Sequence, residues 1–279
     1  MTRFSTTVAK LWMSMLIVVT ILCSNGLSIS VSADQHDIQS SFTRNRSIRQ
    51  STNFSEYIWD NAVDLLAEAW ETTFISGVRN GNLDPYFYGD YVLQDAIYCR
   101  IVAQLWTQLA NNASVEEEIR EYANGSIRGF QVCSVDLFDM FNVKDDRGNS
   151  YGVLVKQPVQ DYTSFINATM TENAHNTLIA TYACLKLWNN LTNELWKIVE
   201  ANTSNPYRIW VEDNFGSGSS ARRQADQMDK WDQDGKLYDW SEGLSLFRCA
   251  MKNEINFFNH AGNSSAVLNC EEDISSSIT

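Results

Sequence analysis

The sequence predicts an all-α protein, on three observations. Apolar residues recur at three- and four-residue steps over most of the chain. Only one short stretch, 151–155, alternates like a strand, and only 3 of the 279 residues are proline. With 44% apolar, 12% aromatic and 20% charged residues, the chain can bury a substantial core, and it has no room for long disordered tracts. Sandwiches, barrels and parallel α/β folds are excluded for want of strands. Lys and Arg number 21 against 34 for Asp and Glu, a net charge of -13, so a nucleic-acid backbone would meet a repulsive field.

The first element is an address. Arg3 and Lys10 precede the apolar run 11–23, and Val31-Ser32-Ala33 places small side chains where a signal peptidase needs them, so residues 1–33 are expected to be a secretory signal peptide. A helix over that run rises only about 20 Å, short of a hydrocarbon core of about 30 Å, so no membrane association is expected once the signal is cleaved. Eight Asn-x-Ser/Thr sequons, at Asn45, Asn53, Asn112, Asn124, Asn167, Asn190, Asn202 and Asn263, fit a secreted glycoprotein. Residues 34–53 are polar and mixed in charge, a flexible N-terminal segment.

The body follows as a single all-α domain over 54–262. Residues 55–70 read as its first helix, with Ile58, Ala62, Leu65, Leu66 and Ala69 at helical spacing and Ser55 as the N-cap, ending around 74–77. Asn80 to Pro85 carries a turn and then a start signal, Asp84 as N-cap and Pro85 in the first turn, for a helix running to about Ala110. Further helices are expected over 115–122, 164–172, 176–200, 221–231 and 241–261. The Ser-rich tail 263–279 is expected to be poorly ordered unless something pins it.

Loss of Cys23 with the signal leaves Cys99, Cys133, Cys184, Cys249 and Cys270, an odd number, so one thiol stays free. Cys249 points off the apolar stripe of the last helix and the tail can fold back to it, which makes Cys249–Cys270 the first pairing and Cys99–Cys133 the second, with Cys184 free. No Cys or His spacing suggests a metal site, and His36, His175 and His260 lie on no clear apolar stripe where a haem would sit. Glu172-x-x-His175 is half of a di-iron carboxylate pattern whose second half is missing. No cofactor is expected.

Polar residues on the wrong face are the functional signal. Tyr88, Tyr91, Val92, Asp95, Tyr98, Val102 and Trp106 share one stripe, so Asp95 sits inward among aromatics. Phe247, Ala250, Met251, Glu254, Phe257 and Phe258 place Glu254 inward in the last helix, and Ala180, Thr181, Cys184, Leu187 and Trp188 do the same for Cys184. A core thiol is usually inert packing, and a buried carboxylate usually ties helices together. Two carboxylates and a thiol are nevertheless tolerable together if they share a cavity that admits water or a polar ligand. Glu254 is then expected to titrate high through desolvation.

The run Phe74-Ile75-Ser76-Gly77-Val78-Arg79-Asn80-Gly81-Asn82-Leu83, then Phe87 and Tyr91-Val92-Leu93-Gln94-Asp95-Ala96-Ile97-Tyr98, resembles the N-terminal signature of the TenA-type thiaminase II family. The likeness continues more weakly through Tyr162, Cys184, Tyr207-Arg208-Ile209-Trp210 and Glu254, across 54–262. It implies a haem-oxygenase-like helical bundle and hydrolytic chemistry on thiamine or a related aminopyrimidine. Carried over residue by residue, it makes Cys184 the nucleophile and Glu254 the acid/base. Asp95 would hold the pyrimidine amino side, with Tyr98 beside the substrate and Tyr162 offering a hydroxyl. Three departures stand out. Thr72-Thr73 replaces the usual His-Pro, Trp188 replaces a pocket tyrosine, and the tyrosine expected after Trp210 falls on Asn214 or Phe215. The expected partner is a small pyrimidine-type ligand, with a homo-oligomer left open. The rival to an enzyme is a secreted, non-catalytic binding protein for a heteroaromatic ligand on the same fold.

Overall fold

A computed structural model describes residues 53–143, 153–237, 239–262 and 264–270, all within one compact unit. The expected signal peptide, nearly all of the flexible N-terminal segment, and the sequons at Asn45 and Asn263 lie outside the described residues. Among those residues there are ten α-helices and no strand, and no helix is long and apolar enough to cross a membrane.

The single helix expected over 55–70 is three short ones: α1 (Phe54–Asp60), α2 (Val63–Glu71) and α3 (Thr73–Asn80). The first break falls after Asn61: the Ala62 N–H turns to the Trp59 carbonyl at 3.2 Å instead of the Ile58 carbonyl a continuing helix would use, while the Asn61 side-chain amide adds a second donor, beside its own N–H, to the Tyr57 carbonyl at 2.9 Å. The second falls at Thr72. Its hydroxyl donates back to the Ala69 carbonyl at 2.8 Å and accepts from the Ile75 N–H at 3.4 Å, closing one helix and capping the next. Ser55 is not the N-cap, a place held by Asn53. Instead Ser55 is buried, and its N–H and hydroxyl both donate to Asp229 at 2.8 Å, which ties α1 to a helix 174 residues on. Gly81 ends α3 with φ 72°, a left-handed position that suits glycine.

The long helix α4 (Pro85–Asn111) starts as expected, Asp84 accepting from the Tyr86 N–H at 2.8 Å. The helix expected over 115–122 is three times that length, as α5 (Glu117–Met140). Its polar, Gly-containing second half hides the helical period, and a disulfide, Cys99–Cys133, fastens it to α4. The strand expected over 151–155 is not one: residues 153–156 are irregular. Their backbone is paired by a side chain instead, Gln94 donating to the Leu154 carbonyl and accepting from the Lys156 N–H, each at 2.9 Å. Lys156 adds an ion pair to Asp90 at 2.7 Å.

Helix α6 (Gln157–Glu172) starts a turn and more before the expected 164, with a proline in its first turn. A 3₁₀ turn, Ala174–Asn176, leads into α7 (Thr177–Val199), close to its expected bounds. The short α8 (Arg208–Asn214) was not expected, whereas α9 (Ser219–Gln233) and α10 (Trp240–Ala261) were, to within two residues at each end. Helix α10 packs against α1, α2, α3, α4, α6 and α7, so it is buried on nearly every side. The tail is pinned as far as Cys270. Asn256 exchanges hydrogen bonds with Leu268 at 2.7 and 2.9 Å, Lys252 donates to the Asn269 carbonyl at 2.9 Å, and the Cys249–Cys270 disulfide closes the end. Both disulfides are the expected pairs, and Cys184 is free.

Candidate active site

Four helices carry the inward polar residues, with α6 and α10 each packed on the other three: α4 bears Asp95 and Tyr98, α6 Tyr162, α7 Cys184 and Trp188, and α10 Glu254. Tyr98 and Tyr162 stack with ring centroids 5.1 Å apart, which brings the α4 and α6 contributions together. The Tyr162 hydroxyl reaches the Ala180 carbonyl of α7 at 3.4 Å, one helical turn before Cys184. Glu254 has the Tyr162 hydroxyl and the Cys184 thiol beside its carboxyl and feels the charge of Asp95. Five of the seven expected site residues therefore meet, although they span 95 to 254 in the sequence.

Their ionisation is set by burial and by one another. Desolvation comes first for Glu254 and the Asp95 charge second; together they raise it from 4.5 to about 8, although the Tyr162 hydroxyl and Cys184 thiol favour its charged form. Burial alone lifts Asp95 from 3.8 to about 7. The Cys184 thiol is held well above its ordinary 9.0 by burial, then by Glu254, then by Asp95. Near neutral pH the thiol is protonated, Glu254 mostly so, and Asp95 is divided between its two forms. As whole residues Cys184 and Asp95 are half-buried, while their polar groups are desolvated.

Aromatic rings line one side of this cluster. Trp188, one turn beyond Cys184, sets its ring 5.2 Å from Phe258 and 5.3 Å from Trp210, each nearly perpendicular, and 6.0 Å from Tyr91. Tyr91 lies 4.3 Å from Phe74 and 4.9 Å from Phe257. Two buried hydroxyls fall short of a well-formed hydrogen bond here, those of Tyr91 and Tyr98; the latter has the Tyr162 hydroxyl and the Cys184 thiol beside it, whereas Tyr91 has no such neighbour. Tyr91 was counted on the inward stripe but given no role, because a tyrosine among apolar neighbours reads as core.

Asn214 is not brought to the site. It is exposed at the last turn of α8, where its amide donates to the Trp210 carbonyl at 2.8 Å and its own carbonyl accepts from Thr192 at 3.1 Å. Phe215, the other position the motif allowed, is also exposed and stacks on Trp196 at 5.6 Å. A helix that stops at Asn214 turns both away. Among the described residues no group of three or more His, Cys, Asp and Glu could hold a metal ion. His175 packs edge-on against Trp231 at 4.8 Å. An open surface groove of about 420 Å³ along α9, bounded by Arg222, Arg223 and Lys230, shares no residue with the cluster.

Four helices around a cluster of buried titratable groups define a helical bundle with an internal site. The particular bundle is given by solved structures. A TenA homologue protein from P. horikoshii OT3 matches with a TM-score of 0.63 and 16% identity, over 76% of this chain and 99% of that one. A TenA family transcription regulator from Silicibacter sp. TM1040 matches with a TM-score of 0.63 and 14% identity, over 75% of this chain and 96% of that one. The chain has the haem-oxygenase-like helical fold of these TenA proteins. No protein-family model matches it, and no curated protein does.

Proposed function

We propose that the protein is a TenA-type, thiaminase II-like hydrolase that acts on thiamine or a related aminopyrimidine through Cys184. The observation that carries this is the meeting of a free thiol, two carboxyls of raised pKa and two stacked tyrosines in one buried place. A nucleophile, a proton carrier and an orienting carboxylate are what the reaction requires. Asp95 takes the amino edge of the pyrimidine, and Tyr98 and Tyr162 flank the ring.

A protonated thiol is a weak nucleophile, so the attack needs a base at hand. In the fraction of molecules where Glu254 is ionised, its carboxylate takes the thiol proton as the sulfur bonds to a ring carbon, and the same proton then passes to a ring nitrogen. The leaving group departs, and water adds at the carbon it left. Glu254 accepts a proton from that water and releases it to solvent, the sulfur–carbon bond breaks, and the ring nitrogen returns its proton to the sulfur. Water is the only co-reactant.

The same reading takes the protein to be secreted and N-glycosylated. The basic and apolar N-terminus, the sequons and the disulfides Cys99–Cys133 and Cys249–Cys270 support this, since such bonds persist in oxidising compartments. Exposed Asn112, Asn124, Asn167 and Asn202 are accessible acceptors. A second reading, a binding protein without turnover, is favoured by one feature: Trp188 and exposed Asn214 stand where the resemblance expects pocket hydroxyls. Incubation of the mature protein with thiamine, followed by product analysis, tests the first reading. Release of hydroxymethylpyrimidine that stops in Cys184→Ser, while thiamine affinity stays within about threefold, is the expected result. Tight binding with no product would select the second.

A further inference from the structure

The Tyr91 hydroxyl is buried in a residue that is 1% exposed, and it has no hydrogen-bond partner. Such a group costs stability unless something else satisfies it, so in a native fold it calls for a cause. Mobility is not that cause. Phe74 and Phe257 hold the ring at 4.3 and 4.9 Å, with Trp188 6.0 Å away on a third neighbour. Tyr91, Asp95 and Tyr98 stand at i, i+4 and i+7 on one face of α4, so Tyr91 stands one helical turn before the residue whose carboxyl faces the cluster. After burial itself, the groups that act on that hydroxyl are Asp95, Glu254, Cys184 and Tyr88, in that order. A rigid donor thus stands at the wall of the site with nothing to donate to.

We propose that Tyr91 is a ligand-binding residue of this site, its hydroxyl donating to an acceptor atom of the heteroaromatic ring whose amino edge Asp95 holds. This rests on the pyrimidine reading given above and deepens it. A ligand that satisfies both groups must present a donor and an acceptor side by side, as an amino group next to a ring nitrogen does, whereas a hydrocarbon ring or a simple amine would leave Tyr91 unpaired. Tyr91 in this way supplies a hydroxyl to a pocket that lacks one at Trp188 and at Asn214.

The test compares Tyr91→Phe with Tyr207→Phe, whose hydroxyl is already taken by the Leu83 carbonyl. For each variant and the parent, thermal unfolding is measured without ligand, and affinity for thiamine and for hydroxymethylpyrimidine is measured by calorimetry. Tyr91→Phe is expected to unfold at the parent's temperature or above it, since it removes an unpaired buried hydroxyl, and to bind both probes roughly tenfold more weakly. Tyr207→Phe is expected to do the reverse, unfolding earlier with unchanged affinity. Parent-like affinity in Tyr91→Phe, or a clear loss of its stability without ligand, overturns the proposal alone. A parent that binds neither probe overturns the pyrimidine reading and this proposal with it.

Discussion

Replacing Glu254 with glutamine should make the protein more stable as the pH rises. In the folded chain Glu254 titrates at about 8 in place of 4.5. A carboxyl whose pKa is raised by folding contributes its full stability below the unfolded value and loses it as the pH climbs through the folded value. Between those limits the parent gives up about 1.4 kcal/mol per pH unit on account of this one group, and by pH 8 the accumulated cost is on the order of 4 kcal/mol. Glutamine has nearly the same shape, cannot ionise, and can still accept from Tyr162 or Cys184. Poorer hydrogen bonding should cost the variant about 1 kcal/mol at every pH. Urea unfolding at pH 5, 6, 7 and 8 should therefore show near equality at pH 5 and an advantage for Glu254→Gln of about 2–3 kcal/mol at pH 8. Asp95 carries the same sign in both proteins and cancels to first order. A difference that stays flat with pH, or that turns against the glutamine variant as the pH rises, would refute the argument from burial.

Two further outcomes follow from the same structure. Iodoacetamide should label Cys184 slowly at pH 7, with a rate that still climbs past pH 9 because burial and the two carboxyls hold the thiol protonated, and thiamine should slow it further; a rate that levels off near pH 7 in a pH series read by mass spectrometry would contradict the raised thiol. Asn205→Ala should cost about 2–3 kcal/mol in denaturant unfolding, since this buried amide donates to the Val78 carbonyl at 2.9 Å and to that of Arg79 at 3.2 Å while its oxygen accepts from the Tyr207 N–H at 2.8 Å, and a cost below about 0.5 kcal/mol would show that the last turn of α3 is held by other means.

The elements legible in the sequence are those whose signals are local. Asp84-Pro85 fixes the start of α4, and long, regular apolar stripes give α7 and α10. The stripes also exposed Asp95, Cys184 and Glu254, because a charged or thiol group in an apolar row is visible without any knowledge of its partners. What stayed hidden depends on contacts distant in sequence or on competition for backbone acceptors. A shift of the Ala62 N–H to an i−3 carbonyl and the Thr72 hydroxyl's bond back to its own helix break a periodic pattern, and the irregular path of 153–156 is held by Gln94, some 60 residues earlier. The second half of α5 leans on a disulfide rather than on an apolar face. Asn214 was placed by counting from Trp210 along a motif, and counting carries no information about where a short helix ends. Tyr91 went unassigned for the opposite reason: its ring is core, and only its oxygen is not.

The odd cysteine bears on how the chain reaches its covalent form. A free thiol in a protein with two disulfides endangers both, because a thiolate attacks a disulfide sulfur and scrambles the pairing. Cys184 has the same surroundings that make it need a base for catalysis, and these keep it from being a thiolate in bulk solution. It sits on α7 inside the bundle, whereas Cys133 lies partway along α5 and Cys270 closes the C-terminal strap. Once the bundle has closed around it, Cys184 is held as a thiol and attacks a disulfide only slowly, so the pairings Cys99–Cys133 and Cys249–Cys270 are protected by the surroundings of a residue that belongs to neither.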